Sequence, residues 1–229
     1  AALELPLEPE LRRTKNDALA RVRRQASIQV RGEDQGANLH ELLLPPARTE
    51  DGTTLDHTKG LVSLPAPRPG DLFLDLEGDP FAFDDGIDYL FGILELRPGG
   101  TERFHGFWSR EPDGRVTLAG EKRAFEETVD FIMARLREDP DIHVYHYASY
   151  ERTAFGRLMG RHATREAEVD TIFRTGVLVD LYRVVQQSLI ASVESYSIKK
   201  LEPFYGYVRN HDLRDANSSI VAFETWLEG

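Results

Sequence analysis

The stretch DLFLDLEGDP, residues 71–80, decides the fold of this chain. It has the apolar pattern of a strand and carries two acidic residues, Asp75 and Glu77, two positions apart. Because side chains alternate between the two faces of a strand, both carboxylates project from the same face. Two like charges so close repel each other, so either one carboxyl takes up a proton or a cation lies between them. Mg²⁺ or Mn²⁺ suits hard oxygen ligands, so the stretch predicts one wall of a metal site. The alternative is a frayed strand end whose acids face water.

The composition of the 229 residues limits the classes of protein to consider. Cysteine is absent, which excludes disulfides and thiolate zinc sites and fits a reducing compartment, so we expect a cytoplasmic location. No apolar run approaches the length of about 18 residues that a membrane span needs, and no signal-peptide pattern is present. The formal net charge of −11 argues against a non-specific nucleic-acid binder.

The order of predicted elements indicates an α/β fold. Three strands in residues 71–109 form an antiparallel meander, and helices and a short buried strand follow. This order predicts a mixed sheet, with parallel strands added to the meander, flanked by helices and with the first strand in its centre. Residues 1–65 are expected to form an N-terminal helical arm and linker, and residues 66–229 the main domain. The arm contains a basic helix whose contact face is expected to hold Leu19, Val22 and Ala26.

The segment VYHYASYERTAF, residues 144–155, supplies a third acid. It places Glu151 in the first turn of a helix, directly after a buried strand. Active-site groups are common at this junction in α/β folds. The helix dipole also favours an acid there, which is the ordinary explanation for Glu151. His146 has no partner histidine at metal-ligand spacing, so a hydrogen-bonding or packing role is expected for it.

These motifs resemble the DEDD-type 3′–5′ exonucleases of the ribonuclease H-like superfamily, which carry Asp-x-Glu on the first strand of a meander. Their second motif, Asn-x-x-x-Phe-Asp, is similar to HYASYE, with His146, Tyr150 and Glu151 at the three defined positions. Together FLDLEGDP, YLFG, YHYASYE, VDLYRVV and SYSIKKLEPFYGY more closely resemble predicted RecB family nucleases with a ribonuclease H-like domain. Members of that group are often fused to other nuclease or helicase modules. The resemblance covers about residues 60–229.

The resemblance implies a metal-dependent nuclease. Asp75, Glu77 and Glu151 would hold two Mg²⁺ or Mn²⁺ ions. The implied activity is that of a 3′–5′ exonuclease on single-stranded DNA or RNA ends. The implied role is in DNA repair. The chain departs from the family at Glu151, where the pattern has Asp, and in its fourth acid. That acid is expected in a Tyr-x-x-x-Asp segment after SSIVAFETWLEG, so we expect the chain to be truncated before its last motif. Three acids within the chain are candidates for it: Asp212, Asp215 and Glu224.

The segment SYSIKKLEPFYG, residues 195–206, is a candidate substrate contact. It interleaves Lys199 and Lys200 with aromatic residues, including Tyr196. Phosphates pair with cations and bases stack on rings, so this pattern suits a single strand. An ordinary amphipathic helix with two solvated lysines explains it equally well.

Residues around the second motif are further candidates for contact with the substrate or support of the site. Tyr147 and His146 are predicted to contact the substrate, whereas Tyr150 is expected in the core. Asp180 is predicted either to support the site or to cap a helix N-terminus.

Other interpretations stay open. A PD-(D/E)xK nuclease needs Glu-x-Lys on the strand after its acid, and ILELRP offers Glu95-x-Arg97 without the lysine. A glycosidase also uses paired carboxylates, but two on adjacent same-face positions are too close for its acid and base. From another class, a non-catalytic nucleic-acid-binding or docking module of a larger nuclease or helicase protein is compatible with the net charge and the missing fourth acid.

Overall fold

The computed structural model describes residues 16–43, 57–209 and 216–228. The strands are β1 (His40–Leu42), β2 (Leu72–Asp79), β3 (Ile87–Leu96), β4 (Glu102–Trp108), β5 (Val144–His146), β6 (Leu178–Asp180) and β7 (Leu189–Ala191). The α-helices are α1 (Asn16–Gln35), α2 (Leu118–Glu138), α3 (Tyr150–His162), α4 (Glu166–Thr175), α5 (Leu181–Ser188), α6 (Ile198–Leu201) and α7 (Ala216–Glu228). Two 3-10 turns lie at Gly60–Ser63 and Glu202–Tyr205.

Backbone contacts divide the chain into two compact units. The first combines Ala1–Leu64 with Tyr182–Val208, and the second combines Pro65–Leu181 with Arg209–Gly229. The predicted organisation, an arm at 1–65 and a main domain at 66–229, stays a prediction. The contacts differ from it by assigning Tyr182–Val208 to the first unit. None of the helices in the described ranges is both long and apolar enough to cross a membrane.

A five-stranded mixed sheet with the order β4-β3-β2-β5-β6 builds the second unit. β2, β3 and β4 are antiparallel neighbours, whereas β5 runs parallel to β2 and β6 parallel to β5. The predicted mixed sheet flanked by helices, with the first strand at its centre, is confirmed.

One face of this sheet forms the main core. Leu74 and Leu76 of β2 belong to this core together with Phe125 of α2, which is fully buried. Burial of such side chains contributes about 1.5–3 kcal/mol each, and a slip of one residue would turn them to the other face. The core therefore fixes the orientation of the alternating positions, and Asp75 and Glu77 lie on the opposite face.

A β-bulge follows the two acids. Glu77 pairs with Leu90, but Gly78 pairs with Asp88, so that Tyr89 is an extra residue in β3. A bulge lets two successive side chains share a face. Tyr89 and Leu90 accordingly both line a pocket with Glu77, and α7 closes its other side.

The first unit contains a two-stranded antiparallel sheet of β1 and β7, beside which α1 lies. The predicted contact face of α1 is wrong, because Val22 is 65% exposed and the fully buried residue is Ile28. Polar side chains make the contact instead. Gln25 Nε2 donates to the Ala191 carbonyl at 2.8 Å and Gln29 Nε2 to the Val193 carbonyl at 2.6 Å.

Candidate active site

Asp75 and Glu77 lie side by side on the open face of β2. They are not interior residues: Asp75 is exposed and Glu77 is half-buried. Protein atoms nevertheless surround Asp75 closely. Loss of hydration, followed by the charges of Glu77 and Glu151, raises the pKa of Asp75 from 3.8 to about 6. The charges of Glu77 and Glu151 therefore act on Asp75, and the charge of Arg209 offsets them in part.

Glu151 comes from the first turn of α3 and is only 4% exposed. Its Oε2 atom is buried and has no hydrogen-bond partner. The nearest cationic candidate is His146 Nδ1 at 3.4 Å, but that nitrogen lies 2.6 Å from the Ala148 carbonyl and donates to it. Burial alone would lower the pKa of His146, but Glu151 and the Ala148 carbonyl outweigh it and raise the pKa. A buried carboxylate oxygen without a donor calls for a water or a cation.

Asp180 holds the turn that leads into α3. It ends β6 in register with His146, and its Oδ1 accepts a hydrogen bond from Ala148 N at 3.1 Å. Ala148 has a φ of +74°, a left-handed conformation that disfavours a residue with a Cβ atom. Of the two predicted roles of Asp180, this contact favours support of the site. Ser149 stands at the N-cap position of α3, but its side chain makes no capping hydrogen bond.

Tyr150 fixes the start of α3 against β3. Its hydroxyl donates to Asp88 Oδ1 at 2.6 Å, and Arg157 donates to Asp88 Oδ2 at 2.5 Å. Asp88 is 1% exposed, and burial raises its pKa despite both partners. A Cβ atom on Gly78 would lie 2.7 Å from Asp88 Oδ1 and from the Tyr150 hydroxyl, so the contact requires glycine. The expectation that Tyr150 is a core residue is wrong, since it is 47% exposed.

The donor atoms fit a divalent cation in their chemistry. Within 16–43, 57–209 and 216–228, no group of three or more His, Asp or Glu side chains is assembled tightly enough to hold a metal. Asp75, Glu77 and Glu151 are nonetheless hard oxygen donors whose mutual repulsion a divalent cation would relieve. The orphaned Oε2 of Glu151 supports the same conclusion.

The remaining predicted substrate residues fall in two places. His146 is buried at the end of β5 and Tyr147 follows it half-buried, both close in sequence to Glu151. Tyr196 and the two lysines belong to the first unit. The Tyr196 hydroxyl donates to Gln25 Oε1 at 2.6 Å, which gives it a structural role between α1 and the residues after β7.

The other members of the basic segment are at the surface of the first unit. Lys199 and Lys200 are exposed, and Lys200 Nζ pairs with Glu194 at 2.6 Å. Contact of these residues with a substrate stays a prediction. Among the candidates for the fourth acid, Glu224 is exposed on α7, whereas Asp212 and Asp215 lie outside the described residues.

Glu95, the acid of the PD-(D/E)xK alternative, lies on the opposite face of the sheet from Asp75. It is 4% exposed and contacts Arg135 at 2.9 Å, His105 at 2.9 Å and Arg97 at 3.4 Å. A carboxylate already matched by cations has no capacity for a metal ion, so the structure gives this alternative no support.

Sequence reasoning missed two features of the site. The first is the support of α3 by Asp88 and Gly78. A glycine inside a predicted strand marks a close approach of other groups, so Gly78 was a signal for this contact. The second is a pocket of about 490 Å³ beside Glu77, lined largely by aromatic rings. Its rings come from the sheet and from α7: Tyr89, Trp108, Phe223 and Trp226.

Comparison with protein-family models matches residues 72–229 to the RNase_H superfamily. The matched segment begins at the first residue of β2 and contains Asp75, Glu77 and Glu151. It covers more than half of the chain. No curated protein matches the chain.

Proposed function

The chain belongs to the RNase_H superfamily, whose members are generally nucleases, and we propose that it hydrolyses phosphodiester bonds with divalent metal ions as a 3′–5′ exonuclease on single-stranded ends. The observation that supports the proposal is the position of Asp75 and Glu77 on one face of β2, where loss of hydration and then the charges of Glu77 and Glu151 raise the pKa of Asp75. The unpartnered oxygen of Glu151 adds to it. A role in DNA repair and association with helicase or nuclease modules rest on the sequence resemblance alone.

In this proposal Asp75, Glu77 and Glu151 hold Mg²⁺ or Mn²⁺. Such ions lower the pKa of a bound water and stabilise a leaving oxygen. The chain's own contribution is placement. Asp180 holds the turn before α3, and the Tyr150–Asp88 hydrogen bond anchors the first turn of that helix, which carries Glu151.

A second candidate is the non-catalytic nucleic-acid-binding or docking module. It is favoured by the lack of an assembled three-ligand group within the described ranges. The two candidates differ in metal affinity, which calorimetry measures directly. Binding of Mn²⁺ that is lost in Asp75→Asn supports the enzyme, and no binding at millimolar Mn²⁺ supports the module.

Cleavage of a single-stranded oligonucleotide labelled at its 5′ end tests the activity. With Mn²⁺ we expect stepwise shortening from the 3′ end, and no products from a circular single strand. Asp75→Asn and Glu151→Gln should each abolish cleavage, whereas Asp84→Asn, which alters an exposed acid after β2, should not. Cleavage retained by Asp75→Asn contradicts the proposed role of this residue.

A further inference from the structure

Two glycines lie on the sheet face that carries Asp75, between this residue and the sheet edge. Asp75 pairs in register with Gly92 of β3, and Gly92 pairs with Gly106 of the edge strand β4. Residues in register on neighbouring strands point to the same face. A row of two glycines therefore leads from the candidate active site to the edge of the sheet.

The ring of Phe104 lies over this glycine row. A Cβ atom on Gly92 would lie 3.2 Å from Phe104 Cε2, and one on Gly106 would lie 3.0 Å from Phe104 Cε1. The backbone thus supports the ring from below, where any other residue would displace it. Phe104 nevertheless stays 61% exposed, so the ring presents an open surface beside Asp75.

A second exposed aromatic residue lies on the same strand, and a cation follows the end of that strand. Trp108 lies four residues after Phe104, hence on the same face, and is 46% exposed. The Arg110 guanidinium is 5.8 Å from the centre of the Trp108 ring. The intervening His105 and Phe107 point the other way, to α2. One face of β4 thus packs against α2. The other carries the exposed rings of Phe104 and Trp108, and Trp108 and Arg110 also line the pocket that α7 closes.

We propose that Phe104, together with Trp108, is a stacking surface for the bases of a single strand whose reacting phosphate lies at Asp75. The inference rests on the proposed function. Two strand spacings, about 10 Å, separate β2 from β4, so a base on Phe104 belongs to a nucleotide near the reacting phosphate. Aromatic rings stack on any base, and Arg110 can pair with a phosphate, which suits a strand of mixed sequence. This surface is distinct from the basic segment around Lys199.

Two fluorescent strands of equal length, oligothymidylate and its abasic counterpart, test the inference by anisotropy. Binding is measured in EDTA on the Asp75→Asn protein, which prevents cleavage. Phe104→Leu should weaken binding of oligothymidylate about 5-fold to 100-fold and leave the abasic strand unaffected. Gly106→Ala should weaken it too, because its Cβ atom displaces the ring without removing it. Phe81→Ala, which removes an exposed phenylalanine outside the sheet, is the control and should change neither affinity.

Several results would overturn the inference. One is an affinity for oligothymidylate that Phe104→Leu leaves unchanged. Another is an equal loss of affinity for oligothymidylate and for the abasic strand. The third is that the Asp75→Asn protein with an intact Phe104 does not bind oligothymidylate. Conversion of a dimer into a monomer by Phe104→Leu, with unchanged affinity, would identify this face as a contact between copies of the chain. Failure of the proposed function gives a different result. If binding depends on Phe104 but no Mn²⁺-dependent cleavage is found, the nuclease proposal is wrong and the stacking surface stands.

Discussion

Replacement of Gly78 by alanine adds a methyl group at a crowded point behind the candidate site. The new Cβ atom would lie 2.7 Å from Asp88 Oδ1, 2.7 Å from the Tyr150 hydroxyl and 3.1 Å from the Ile87 carbonyl. The first two atoms form the hydrogen bond that anchors α3. Since Ile87 contributes backbone of β3 and Asp88 is 1% exposed, neither can move without disturbing the sheet.

The expected loss of stability has two parts. Overpacking of a filled site costs about 1–3 kcal/mol, and a broken hydrogen bond to a buried carboxylate adds about 1–3 kcal/mol. Gly78→Ala should therefore lower the free energy of unfolding by about 2–6 kcal/mol, or Tm by about 4–24 °C in a chain of this size. Gly156→Ala is the matched control, because open space surrounds this glycine of α3. It should leave stability unchanged or raise it by about 1 kcal/mol through helix propensity.

Urea unfolding followed by circular dichroism measures the effect, and Mn²⁺-dependent cleavage reports the displacement of Glu151. The Tyr150→Phe background provides the decisive comparison. Phenylalanine lacks the hydroxyl that the new methyl group meets, so Gly78→Ala should cost less stability there. An equal cost in both backgrounds, or a Gly78→Ala protein as stable as Gly156→Ala, would refute the assignment of the contact.

Three further substitutions test the electrostatics of the site and its support. Because the pKa of Asp75 is raised from 3.8 to about 6, its ionisation costs stability as the pH rises through this range. In EDTA, Asp75→Asn should leave the free energy of unfolding in urea unchanged below pH 4. Above pH 6 it should raise that free energy by about 1 kcal/mol, a value reduced because Asp75 is exposed to solvent. An effect that does not change with pH contradicts this expectation. Glu121 is fully buried against Arg161 at 3.0 Å, so Glu121→Gln should lower the free energy of unfolding by about 3–5 kcal/mol. Asp180→Ala should reduce cleavage, whereas Asp180→Asn, whose amide oxygen can accept from Ala148 N, should retain most of it.

Strand periodicity predicted the part of the structure that positions the acids. The alternation of leucines with Asp75 and Glu77 fixed the face of β2, because only one face of that strand can enter the core. The junction of a buried strand with a helix placed Glu151 at the start of α3. In both cases a short local pattern determines the position, so no knowledge of distant residues was needed.

Contacts between distant residues account for what the sequence analysis missed. The face of α1 was assigned from apolar residues, but Gln25 and Gln29 bind carbonyls of a segment more than 160 residues away. Tyr150 is an aromatic residue of the kind that is common in cores. Its hydroxyl instead donates a hydrogen bond to the buried Asp88, on the other side of the bulge. Periodicity carries no information on such pairings, because each depends on which residues of another element come close.

The buried acids of the candidate site differ from those in the rest of the second unit in their hydrogen-bond and ion-pair partners. Glu95, Glu121 and Asp88 are each matched by an arginine, at 2.9 Å, 3.0 Å and 2.5 Å. Glu151 is nearly as buried, yet its Oε2 has no hydrogen-bond donor, and Oδ2 of Asp79, two residues after Glu77, has none either. Unmatched buried charge costs stability, and such groups cluster where function requires them. Both oxygens belong to the neighbourhood of the β2 acids, where Arg209 acts on Asp75 and His146 on Glu151, and they support the proposed cation site.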